Sequence, residues 1–262
     1  PAAGQMCTGR MLKRSYRMRL AAARALRALQ AQPGAHLSRT KRLAAQAAAA
    51  IGLTVLGRRR HGHRLRMLMY HGVVPRVTGP MAFGNLFLEL GLFERHVRYL
   101  ARHFTILSAE EILACLRAGR PFPARALAIT FDDGYRGLLT HVLPVTRRAR
   151  VPITVFVPAS DVTESAALWF DVLRVLVDDA YRTRQVVRVD EELVMDGRLV
   201  RDPEAVFVAL SRRILAFSPE RAERVITELQ RAGQLAHVLE RYPEFCLAGW
   251  NEWRIALSGG GL

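Results

Sequence analysis

Acidic residues are missing from the first third of this chain. Sixteen Lys or Arg precede Glu89, the first acid, and no Asp or Glu does. Positions 89–262 hold the remaining 39 − 16 = 23 basic residues and all 23 acidic ones. The net charge of +16 over 262 residues therefore belongs to positions 1–88, mostly to an N-terminal arm, and the rest is electrically balanced. Lysine is scarce as well, at Lys13 and Lys41 only, and the Ala/Arg bias fits GC-rich coding as well as selection for guanidinium groups. Charge at this level argues for non-specific association only, so no specific nucleic acid partner is expected. Cys7, Cys115 and Cys246 form no C-x-x-C pair, which excludes a disulfide scaffold and says little about redox compartment. No internal repeat is visible. The eight histidines include no H-x-x-x-H pair.

Long apolar runs are also lacking. The longest candidate, Leu43 to Gly57, is flanked by Arg39, Lys41 and Arg42 and by Arg58, Arg59 and Arg60. A spanning helix needs about 20 apolar residues, so this run is short for one. A secretory signal core, a helix on a membrane interface and a helix packed on the domain all remain open for it. Residues 1–64 are read as a basic Ala/Arg-rich arm with a short apolar helix, suited to an anionic membrane surface. A solvated leader is the plainer alternative. Localisation stays open between the envelope and the cytoplasm.

From Leu65 the pattern alternates strand and helix. Leu65 to Tyr70 reads as a strand. Phe93, Val97, Leu100 and Ala101 recur at helical spacing over 93–103. Ser108 can cap a helix over 109–118, with Glu110 and Glu111 in its first turn and Gly119 as a stop. Strands follow at 126–131 and 153–157, with a helix over 137–148 between them. This alternation predicts a parallel sheet or barrel. Residues 165–248 break the rhythm: helices over 168–181, 203–217 and 219–233, with short strands at 186–189 and 192–195 and a turn at Asp196-Gly197 toward Leu199-Val200. This stretch is read as a helical insertion.

The chemistry concentrates at Ala126-Leu-Ala-Ile-Thr-Phe-Asp-Asp-Gly-Tyr135. An uncharged strand ends directly in two carboxylates and a glycine. Ionised carboxylates beside a core strand are costly without a partner, which a metal ion or a helix N-terminus would supply. Gly134 gives backbone freedom for a strand-to-helix turn. Acids at the carboxyl end of a parallel strand lie where α/β barrels keep their active sites. A plain polar turn is the competing reading. His71 ends the first strand and so falls on the same face, either beside substrate or as a packed side chain. Tyr135 is a candidate for the groove by position alone. His96, His103, His141 and His237 fall in helical patterns, and Cys115 and Cys246 are read as core.

These segments together resemble a bacterial polysaccharide deacetylase with a NodB-homology domain, similar to carbohydrate esterase family 4. Met69-Tyr-His-Gly-Val-Val74 resembles that family's first strand, and Thr130-Phe-Asp-Asp-Gly134 its first catalytic motif. Val151-Pro-Ile-Thr-Val-Phe-Val157 resembles the next strand, and Leu168-Trp-Phe-Asp171 an LWWD segment found in one branch. The resemblance runs from about Leu65 to the last residue. It implies an α/β fold: a partial (β/α) barrel with a helical insertion at 165–248 and a basic arm before residue 65.

The resemblance further implies a metal-dependent carbohydrate N-deacetylase, a hydrolase of carbon–nitrogen bonds other than peptide bonds. Asp132 would be the general base and Asp133 a metal ligand, with zinc the expected ion and an N-acetylated amino-sugar polysaccharide the substrate. The family's two metal histidines are absent. Trp250 to Leu257 reads as the helix and Ser258-Gly-Gly-Gly261 as the turn before them, so the expectation is an N-terminal part ending ahead of that motif. A carbohydrate-binding or membrane-associated remnant is the non-catalytic alternative. A two-carboxylate glycosidase would need a second acid across the site, which the sequence does not single out. Adjacent acids disfavour a D-x-D phosphotransferase.

Overall fold

The computed structural model describes residues 64–158, 166–189, 193–233 and 235–258. The arm with its apolar run and the glycines at 259–261 lie outside the described residues.

The first half alternates strand and helix. It runs β1 (Arg66–Tyr70), β2 (Gly72–Val74), a 3-10 segment (Gly79–Asn85), β3 (Phe87–Glu89), α1 (Leu90–His103), β4 (Thr105–Ile106), α2 (Ala109–Arg117) and β5 (Ala126–Phe131). A π-helical turn at Leu138–Val142 then leads into α3 (Leu143–Ala149), followed by β6 (Thr154–Val155). Strand β5 is the centre of a parallel sheet. It pairs with β1 from Arg66↔Leu127 to Tyr70↔Phe131. It also pairs with β4 near its start, Thr105↔Ala126, and with β6 near its end, Thr130↔Thr154. Strands β2 and β3 form a second parallel pair. Among the described residues the β5 sheet is open.

Strand β5 carries no charge because every one of its six residues is buried. Its side chains Leu127, Ile129 and Phe131 pack with Phe93, Val97 and Leu100 of α1, with Leu138 and Val142, and with Trp253. Helix α1 buries Phe93, Val97 and Leu100 of the stripe that its sequence spacing marked, while Ala101 is exposed, and Ser108 and Glu111 form the reciprocal cap that starts α2. The strand expected at 153–157 contracts to two paired residues, because β6 meets only the last two residues of β5.

The second half is mainly helical: α4 (Trp169–Thr183), the antiparallel pair β7 (Val186–Arg188) and β8 (Val194–Asp196), then α5 (Pro203–Ala216), α6 (Pro219–Ala232), α7 (Leu235–Arg241), a 3-10 turn (Pro243–Phe245) and α8 (Trp250–Ser258). Asp196-Gly197 does turn the chain, but no strand follows at 199–200, because the partner of β8 is β7. Val172, Leu173 and Val177 of α4 pack on Phe207 and Ile214 of α5 and on Val225 and Leu229 of α6. A further cluster joins the end of the sheet to α4, through Val74, Phe87, Tyr135, Val175, Phe245 and Leu247. Among the described residues no helix is long and apolar enough to cross a membrane.

Phe131 is fully buried, stacked on Tyr70 at 5.4 Å and edge-on to Phe93 at 5.7 Å. Phe131→Ala is expected to lower stability by about 3–5 kcal/mol in urea unfolding followed by circular dichroism. Ser108→Ala, which removes only a cap, should lower it by about 1 kcal/mol. Equal losses for the two would contradict the central place of β5.

Candidate active site

Parallel pairing brings the candidate residues together. Tyr70 and Phe131 are register partners at the carboxyl ends of β1 and β5, and the Asp132 amide donates to the Tyr70 carbonyl at 3.0 Å. His71 and Asp132 are therefore the first residues beyond two neighbouring strand ends. The next two residues turn the chain. Asp133 and Gly134 both have φ near +72°, in the left-handed region that asparagine, aspartate and glycine tolerate best. This turn re-aims the Asp133 carboxylate, whose Oδ2 lies 3.9 Å from His71 Nε2. A Cβ on residue 134 would sit 3.1 Å from a Val157 methyl, so the position is tight as well as left-handed.

Burial sets the electrostatics. The Asp133 carboxyl is raised to about 7, first by desolvation, then by the nearby Asp171 and Asp132 charges, with Arg174 opposing. Asp132 is half-buried and also raised by desolvation, with His71 opposing. Desolvation lowers the His71 imidazole; Asp132 works against that and Arg174 reinforces it. A neutral His71 beside two carboxyls is the favoured state near neutral pH.

Tyr135, expected in the groove, meets a different geometry. It is fully buried, and its hydroxyl donates to Asp171 Oδ2 at 2.8 Å. Its main chain bridges Leu247, which turns the ring into the cluster with Phe87 and Phe245. Asp171 and Arg174, one helical turn apart on α4, were not singled out by sequence reasoning. Asp171 is fully buried, and Arg174 Nε lies 3.4 Å from its Oδ1. Burial raises Asp171 to about 7, against the opposing Arg174 charge and the Tyr135 hydrogen bond. The signal was present: an acid and a base inside a segment otherwise apolar on every side, where charges are rarely buried unless paired.

Residues 119–188, the segment that holds the two acids and Asp171, match the family model described as polysaccharide deacetylase. No protein of curated function matches it. Among solved structures, the deacetylase PplD of Streptococcus pyogenes, solved with acetate, is 25% identical over 37% of this chain and 43% of its own, with a TM-score of 0.32. A de-N-acetylase from Aggregatibacter actinomycetemcomitans is 16% identical over 56% of this chain and 51% of its own, with a TM-score of 0.31. IcaB from Ammonifex degensii is 15% identical over 75% of this chain and 97% of its own, with a TM-score of 0.35. The chain thus spans about half or less of the first two.

The residues fit one corner of a metal site. Asp133 Oδ2 is buried without a hydrogen-bond partner, as a carboxylate oxygen reserved for a cation would be. Among the described residues no group of three His, Cys, Asp or Glu could complete a ligand set.

The raised Asp133 value has a sign. Its folded value, about 7, lies above the ordinary 3.8, so the folded state holds the proton more tightly. That contribution to stability is fully present below about pH 4 and is lost as the pH rises through 7. Asp133→Asn cannot lose it. With chelator present, the variant's stability relative to the parent should climb between pH 4 and pH 7.5 in urea titrations. Parallel curves would mean that Asp133 is not held in a desolvated site.

Proposed function

We propose that this chain carries the catalytic carboxylates of a metal-dependent carbohydrate N-deacetylase that hydrolyses N-acetyl groups on an amino-sugar polysaccharide. One observation carries the reading. Two carboxyl groups leave the central buried strand beside His71, inside the segment that matches the polysaccharide deacetylase family.

Asp132 is the general base. It takes the proton of a water whose oxygen attacks the acetyl carbonyl carbon. The carbon–nitrogen bond then breaks, a proton reaches the nitrogen, and acetate and a free amine leave. The raised value of Asp132 brings its basicity closer to a working pH near neutral. Asp133, deeper and with an unpartnered oxygen, is the residue that would hold a divalent metal, zinc being the expected ion. When bound, such an ion polarises the carbonyl and acidifies the water. His71, kept neutral by burial, offers a hydrogen-bonding edge next to Asp133 for substrate or for the carboxylate itself.

The wider architecture is part of the proposal. The open sheet around β5 is read as part of a (β/α) barrel. Residues 65–262 are read as one deacetylase domain with 165–248 as its helical insertion, and 1–64 as a basic arm suited to an anionic membrane surface. A glycosidase gains no support. The extra carboxyl near the site, Asp171, is fully buried and engaged by Tyr135 and Arg174, out of reach of a sugar. A carbohydrate-binding remnant is the second reading, favoured by the incomplete ligand set among the described residues.

The test uses the natural full-length protein, with acetate release from an acetylated amino-sugar oligomer and metal content measured on the same samples. Asp132→Asn should lower the rate by about 10²–10⁴ and leave the metal in place. Asp133→Asn should lose metal and activity together. Reversed metal contents would exchange the two roles. Wild-type rates in both variants, or no acetate release by the parent, would leave the remnant.

A further inference from the structure

The site proposed above does not account for the most heavily buried charges among the described residues. Asp171 and Arg174 are 0% and 2% exposed, among the buried apolar residues Val172, Leu173 and Val177 of the same helix. Arg174 also donates to the Phe83 carbonyl and lies over the Phe207 ring, 4.6 Å from its centroid. An ion pair taken out of water gains little net stability over apolar residues of the same size. Its presence here therefore calls for a role other than holding the core together.

The geometry supplies one. Oδ2 of Asp171 receives the Tyr135 hydroxyl while Oδ1 faces Arg174, and Tyr135 immediately follows the left-handed pair Asp133-Gly134. A non-glycine residue in that region persists only where its surroundings hold it. Two main-chain contacts hold the turn, Ala248 N–H donating to the Gly134 carbonyl at 3.0 Å and Arg136 N–H donating to the Cys246 carbonyl at 2.8 Å, and the Arg136 side chain pairs with Glu252 at 3.0 Å. On the side-chain side, the Tyr135 hydroxyl is the link into α4.

We propose that Asp171, braced by Arg174, is a positioning residue that acts through the Tyr135 hydroxyl to hold the Asp133-Gly134 turn and hence the aim of the Asp132 and Asp133 carboxylates. The proposal rests on the deacetylase reading for what those carboxylates do. The holding of the turn can be measured without that reading. Asp171 touches no reacting atom; it works through Tyr135.

Amide hydrogen exchange is the first readout, because opening of one turn and loss of the whole fold look different residue by residue. Tyr135→Phe and Asp171→Ala should each speed exchange at Arg136 and Ala248 by about tenfold, the loss expected of one buried hydrogen bond. Amides of β5 should keep their parental rates. Asp171→Asn keeps core volume and an acceptor for the hydroxyl, so it should stay near the parent. The second readout is kinetic, on the full-length protein with an acetylated amino-sugar oligomer. In Tyr135→Phe, kcat should fall about ten- to hundredfold with KM within about twofold, as for misaimed catalytic groups.

Unchanged exchange at Arg136 and Ala248, or equal acceleration in β5, would overturn the positioning role and leave a merely structural pair. An Asp171→Asn variant as loose as Asp171→Ala would overturn it too, and that comparison decides the matter if Tyr135→Phe does not fold. If the parent releases no acetate, the deacetylase reading fails, while the exchange data still decide whether Asp171 holds the turn.

Discussion

Strand β5 buries all six of its residues and then delivers two carboxyl groups into nearly the same surroundings. Removing a carboxylate from water is costly, and the cost grows when a second one lies next to it. Much of the surrounding structure can be understood as the response. His71 arrives at the same level from β1 because parallel register puts the two strand ends side by side. Arg174 reaches in from α4 as a compensating charge. The turn at Asp133-Gly134 re-aims the second of two side chains that a continuing strand would have sent to opposite faces.

The packing beneath the site keeps these groups in register. Tyr70, Phe93 and Phe131 form an aromatic floor under the strand ends, with the Tyr70 hydroxyl 3.2 Å from His96 Nδ1 on α1. On the other side Phe87, Tyr135 and Phe245 join the sheet to the helical half. The helical half is therefore more than an appendage to the sheet. Through Asp171, Arg174 and the segment around Leu247 it meets the turn that carries the acids. A close-packed interior transmits such contacts stiffly, so residues on α4 can influence the strand ends without lying in the site.

Local physics explains why so much was legible from the residues alone. An uncharged six-residue run announced β5, the 93-97-100 spacing announced α1, and Ser108 with Glu111 announced the start of α2. The placing of His71 and the two acids on one face followed from strand ends in a parallel sheet. Less legible was whatever depends on which strand neighbours which. β6 proved to be two residues because its length is set by its overlap with β5. That the short strands near 186–189 and 192–195 pair with one another as the antiparallel β7 and β8 was likewise decided by the fold.

By itself, the sequence determined the identity and order of the chemical groups: two acids and a glycine after a buried strand, a histidine after another, and a basic excess confined to the first 88 residues. These are one-dimensional properties, carried by neighbouring residues or by composition. Only the tertiary structure decided that Tyr135 turns inward, that Asp171 and Arg174 lie behind the acids, and that one buried Asp133 oxygen is left without a hydrogen-bond partner. Each of these depends on contacts between residues tens of positions apart, where burial and charge are properties of the packed neighbourhood. No local pattern encodes the desolvation that raises Asp133 and lowers His71, because desolvation is exerted by everything that packs around them.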